Sequence, residues 1–126
     1  MAYSGGQAVD ITLPASGDMS SQQYRIVKVD GSGRCVSGSA AADILIGVLQ
    51  NKPAATDRGA QIRISGFTKI VGGAALAEGD MVTSNGQGFG TAAAATSVGC
   101  HILGIVTAAI GGSADIGEML MTNFQL

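Results

Sequence analysis

Apolar and polar residues alternate with a period of two along most of this chain. Val9, Ile11 and Leu13 are interleaved with Asp10 and Thr12, as in a strand with one buried face. Pro14 to Ser21 is a turn-rich break. Tyr24 to Val29 predicts a strand that ends at the turn Asp30-Gly31, with Arg34 to Val36 returning. Such a turn needs a residue that tolerates positive φ, which points to Gly31. Ile44 to Gln50 is a short apolar run, and Ala60, Ile62 and Ile64 alternate with Gln61, Arg63 and Ser65 before Phe67 to Val71 continues. Further strands are predicted over 80–83, 90–91, 102–107 and 118–124, with Asn85-Gly86 as a second turn. Ser39 to Asp43 and Thr91 to Thr96 are Ala-rich enough for a helical turn or two, but their Gly and β-branched neighbours interrupt them.

These segments echo one another. Ile26-Val27 through Asp30-Gly31-Ser32-Gly33 lines up with Met81-Val82 through Asn85-Gly86-Gln87-Gly88. Ile44 to Leu49 matches His101 to Val106, and Gly59 to Ile64 matches Ile116 to Met121, the offset growing from 55 to 57 residues. Two pseudo-repeats, about 25–66 and 80–124, therefore share one domain over 21–126, preceded by an N-terminal arm over 1–20. Many short strands separated by turn signals predict an all-β barrel or sandwich. The first strand lies outside the repeat in this reading, and either stays with the core or reaches across to a neighbour.

Composition sharpens this picture. The 126 residues are 46% hydrophobic but only 4% aromatic and 13% charged, with 20 glycines. The charged share is about half the usual ~25%, too little polar cover for a lone soluble monomer, so some surface is expected to be buried in partners. All seven basic residues lie between Arg25 and Lys69 with only three acids among them, for a net +4. From residue 70 onward there are four acids and no base, for −4, while Asp10 and Asp18 give −2 at the start. The basic part of one subunit can thus face the acidic part of the next, with Arg58 and Arg63 as candidate contacts, or the two signs simply mix on one small barrel. A net charge of −2 argues weakly against nucleic acid as the main partner. No stretch approaches the ~18 apolar residues of a membrane span, and the opening residues lack the basic and apolar regions of a secretion signal.

Catalytic chemistry is sparse. His101 is the single histidine and adjoins Cys100, but neighbours on a strand point to opposite faces. Cys35 and Cys100 form no CxxC and read as buried free thiols. Glu78 and Asp80 flank Gly79 in a turn, and Gly86 to Gly90 lacks the Lys-Ser/Thr of a phosphate loop. Lys69 would suit a lipoyl-type carrier only at a hairpin tip, and here it lies in an apparent strand. No catalytic residue, cofactor or metal site is expected.

Several runs resemble tailed-phage head proteins. They are Met1 to Asp10, Ile46 to Pro53, Ile62 to Lys69 and Ala77 to Gly88, and the likeness is to small capsid decoration, or cement, proteins. The resemblance implies a β-barrel or "β-tulip" subunit, often trimeric, attached to the major capsid protein on the outside of a DNA-filled head. The physical reading points the same way, because many modest apolar and backbone contacts suit a cross-linking subunit better than a pocket does. The arm, through Tyr3, Val9, Ile11 and Leu13, is then a candidate edge strand for the capsid or a sister subunit. Alternatives are another virion part (head fibre base, tail or adaptor protein), or a carbohydrate-binding module, which would need more exposed rings than five aromatic residues provide.

Overall fold

The computed structural model describes residues 8–40, 43–93 and 99–125. Within them lie ten strands: β1 Val9–Pro14, β2 Ile26–Val29, β3 Cys35–Ser37, β4 Leu45–Leu49, β5 Gly59–Ser65, β6 Phe67–Val71, β7 Met81–Ser84, β8 Gly90–Ala92, β9 His101–Ala108 and β10 Ile116–Gln125. They build two five-stranded antiparallel sheets, ordered β1-β5-β4-β2-β3 and β6-β10-β9-β7-β8. The fold is all-β, two packed sheets, and no helix occurs among the described residues. Thr91 and Ala92 of the Ala-rich stretch are strand, while residues 41–42 and 94–98 lie outside the described residues.

The second order is the first with five added to every strand number. The duplication thus spans β1 to β5 and β6 to β10, which corrects two sequence expectations. β1 belongs to the repeat as the counterpart of β6, and Phe67–Val71, which falls between the repeats 25–66 and 80–124 in the sequence reading, opens the second unit. Gly66, at φ +94°, turns the chain from one sheet into the other. The hydrogen bonds repeat as well. Ala15 N–H donates to Arg58 O at 2.8 Å, and Gly72 N–H to Asp115 O at 2.9 Å. Ser16 N–H reaches Cys35 O at 2.9 Å, and Gly73 N–H reaches Gly90 O at 2.8 Å.

Both hairpin loops are set by one Asx residue and one late glycine. Asp30 Oδ1 accepts the N–H groups of Ser32 and Arg34 at 2.8 and 2.9 Å. Asn85 Oδ1 accepts those of Gln87 and Phe89 at 2.8 and 3.1 Å. The left-handed residues are Gly33 (φ +78°) and Gly88 (φ +77°), not Gly31. The turn is a type I turn closed by a glycine bulge, which places the positive φ two residues later than a two-residue loop would.

Two apolar clusters hold the sheets. One lies within the first unit and joins Ala15, Met19, Val27, Cys35, Leu49, Ala60 and Ile62, with Ile11, Leu13, Ile46 and Ile64 half-buried against it. The other joins the inner face of the second unit (Ile70, Leu76, Val82, Leu103, Val106, Ile110, Met119) to Ile26, Leu45 and Val48 of the first. Adjacent residues of one strand therefore enter different cores, Ile26 and Val48 facing the second unit and Val27 and Leu49 their own.

Candidate functional site

Residues 9–14 are paired along their length with β5, from Val9 opposite Ser65 to Pro14 opposite Gly59. The N-terminal segment is thus, from residue 9, the edge strand of the first sheet and not a free arm. Its alternating pattern buries Ile11 and Leu13 in its own unit's core, and that burial is why it stays. Val9 faces out, 48% exposed, and Tyr3 lies outside the described residues.

The two arginines have different places. Arg63 ties β1 to β5, Nε to Asp10 Oδ1 at 2.8 Å and Nη2 to Asp10 Oδ2 at 3.2 Å, and its Nη1 donates to Phe67 O at 3.1 Å. The Arg63 hydrogen bond holds the Asp10 carboxyl below the usual carboxylate range, against the opposing pull of partial burial. Arg63 is thereby committed within its own chain. Arg58 is exposed in the turn before β5. A second fork joins Arg34 to Asp57, with Nε to Oδ1 at 2.7 Å.

A cleft of about 160 Å³ lies where the units meet, lined by Tyr24, Gln50 and Arg63 of the first and Phe67, Lys69 and Glu118 of the second. That volume is well below the ~300–1,000 Å³ of ordinary ligand sites. Gln50 Nε2 spans it to Thr68 Oγ1 at 2.7 Å, and Lys69 Nζ stands 5.7 Å from the centre of the Tyr24 ring. Lys69 sits in mid-strand opposite Glu118, not at a hairpin tip, so the geometry of a carrier lysine is not met. The cleft contains charge but no nucleophile beside a general base, and its polar groups chiefly join the two units.

The other candidate groups are structural. Cys35 and Cys100 are free and buried, and burial, aided by the charge of Asp30, pushes the Cys35 thiol up to about 12. The Glu78-Gly79-Asp80 turn has Gly79 at φ +90°. Asp80 Oδ2 accepts Ala77 N–H at 3.0 Å, and Glu78 Oε2 accepts Ala109 N–H at 3.3 Å. Among the described residues, no three of His, Cys, Asp or Glu gather into a metal-binding group.

What remains is apolar surface. Phe67, Leu120, Ile105 and Met81 are direct cross-strand neighbours over β6, β10, β9 and β7. They form a row on the outer face of the second sheet, with Leu120 39% exposed and the others half-buried, and Phe67 at its end also lines the cleft beside the first unit. Sequence reasoning misses this row, because it depends on the register of four strands, three of them far apart in the chain. The only signal was Phe67, Leu120 and Ile105 each falling beside a buried position.

No family model matches the chain, and no curated protein sequence does. A solved structure does: the head fiber gp8.5 N base of bacteriophage phi29, at 16% identity and a TM-score of 0.67, over 95% of this chain and 98% of that one. The similarity extends across both units and establishes the fold.

Proposed function

We propose that this protein is a structural component of a phage virion, of the head-fibre-base kind, seated on the outer surface of the capsid. One observation carries the reading: the chain follows the phi29 head fibre base from end to end, with 95% and 98% of the two chains superposable. A two-unit β-body whose cleft among the described residues is smaller than ordinary ligand sites suits a part that works by contact area. Sparse charge, 13% of residues, supports a surface made to be covered by protein, with the major capsid protein and further copies of the chain, as a trimer, in that role. The Gly-centred runs resembling decoration proteins favour a second reading, a cement subunit covering the whole lattice.

Copy number tests both. Quantitative mass spectrometry of purified virions, scaled to the major capsid protein, is expected to give far fewer copies of this chain than of the capsid protein. A near-equimolar ratio would replace the fibre-base reading by the cement one. Absence from the virion would overturn both.

A further inference from the structure

The two units are packed head to tail, and this leaves one face of each with a margin of half-buried apolar side chains. In the first sheet the row equivalent to Phe67–Leu120–Ile105–Met81 is Asp10–Arg63–Val48–Ile26. Val48 and Ile26 are fully buried there, because they pack into the inner face of the second unit. Their counterparts Ile105 and Met81 are only half-buried. The inner faces show the converse. Ile70 and Leu103 of the second unit are fully buried under the first, whereas their counterparts Leu13 and Ile46 stay half-buried, as does Ile11 beside them; Ile64 is half-buried like its own counterpart Met121.

We propose that these two open faces are partners across copies: the outer row Phe67–Leu120–Ile105–Met81 of one chain packs on the Ile11–Leu13–Ile46–Ile64 face of the next, repeating between molecules the contact already made within each. The occupant is a second copy because each face has the strand order and register of one half of an interface that the chain itself forms. The hairpins agree. Within the chain, the 85–89 hairpin docks on the first unit, Gly88 O accepting Ile26 N–H at 2.7 Å, and a Cβ on Gly88 would stand 2.8 Å from Ile26 O. The equivalent Gly33 has nothing within 4 Å of such a Cβ, so the 30–34 hairpin is free for the same approach.

Charge supports the match independently. Arg25 lies over the Phe89 ring, 4.6 Å from its centre. At the equivalent places stand Asp80 and Arg34, so the transposed contact brings a second carboxylate to the guanidinium already forked to Asp57. It also sets the first unit of one copy, net +1 with six bases and five acids, against the acidic second unit of the next, net −3 with one base and four acids. The contact is heterologous, and such contacts form rings or open chains according to the rotation between copies.

This inference rests on the oligomeric part of the reading above, but its test uses purified protein and no virion. Sedimentation equilibrium of the wild-type chain is expected to show an oligomer. Leu120→Glu and Ile64→Lys, each spoiling one face, are expected to run at single-chain mass. Mixed together they should form a one-to-one heterodimer, since one intact copy of each face remains. Circular dichroism and urea unfolding verify that each variant is folded, with Ile11→Lys as a second inner-face variant should Ile64→Lys not fold. A monomeric wild type overturns the proposal. So does an oligomer that survives either substitution. Two monomeric variants that fail to pair on mixing would overturn the head-to-tail arrangement.

Discussion

Single residues show where the duplicated units depart from one another. Tyr24 N–H donates to Leu49 O at 2.7 Å and Gly79 N–H to Val106 O at 2.8 Å, which makes the two equivalent. Tyr24 nevertheless has φ +67°, a left-handed conformation that costs a non-glycine residue roughly 1–2 kcal/mol. It persists because its carbonyl accepts Val71 N–H at 3.0 Å and its ring packs against the shared core. Asp43 gathers the loop around it. Its Oδ2 accepts Ser39 N–H, Ser39 Oγ–H, Ala40 N–H and the Lys28 ammonium at 2.8 to 3.0 Å. Burial pushes this carboxyl up, but the Ser39 and Lys28 hydrogen bonds outweigh it and hold it at about 2, below the ordinary 3.8. A depressed carboxyl stabilises the fold above its unfolded pKa, and the contribution fades as pH falls from about 4 through about 2. The shift corresponds to about 2 kcal/mol, with both partners less than a third exposed. Asp43→Asn is therefore expected to lose about that much in urea unfolding at pH 7. The gap from wild type should close at pH 2, whereas a gap of equal size at both pH values would place the effect in packing and not in charge.

At the level of strands, the period-two pattern gave their positions and even their buried sides, because alternation depends only on the local pleat. The hairpins were legible from Asp30 and Asn85, although the positive φ falls at Gly33 and Gly88. Which strand joins which sheet was not legible. β1 and β6 share only an inward apolar position, Leu13 in one and Ile70 in the other, and sequence similarity has faded elsewhere between them. Arg63 looked like an outward cation, since its partner Asp10 is 53 residues away. Nor could the outer apolar row be read without the cross-strand register. One pair of glycines ties element to duplication more tightly than any of these. A Cβ on Gly47 would stand 2.3 Å from Arg63 O, and one on the equivalent Gly104 would stand 2.5 Å from Leu120 O. Each glycine lets a central strand approach the backbone of its neighbour at the same point of its sheet. Gly47→Ala and Gly104→Ala are each expected to cost about 3 kcal/mol by forcing those strands apart. Gly31→Ala, with nothing within 4 Å of its Cβ, should stay within about 0.5 kcal/mol of wild type. Chemical denaturation of the three variants checks this, and unequal losses at the two strand glycines would mean that the units do not share their packing.

The whole molecule is more than two units joined at Gly66, because one of its two cores is common property. Ile26, Leu45 and Val48 leave the first sheet to complete the interior of the second. Without them, Ile70, Leu103 and Met119 would lose part of their cover and keep only that from their own unit, including Leu76 and Ile110. The first unit, by contrast, closes its own cluster around Val27, Leu49 and Ile62. Stability is then coupled in one direction: loss of the first unit should unfold the second. Ile26→Ala removes a fully buried side chain from the shared core and is expected to cost about 3 kcal/mol. Because the cavity opens between the units, native-state hydrogen exchange should register this loss in β9 and β10 as fully as in β2 and β4, with one urea transition throughout. Val27→Ala, in the first unit's own core, tests the coupling from the other side. It should lower protection in both sheets if the second depends on the first, whereas a loss confined to the first sheet would show that the second unit stands alone.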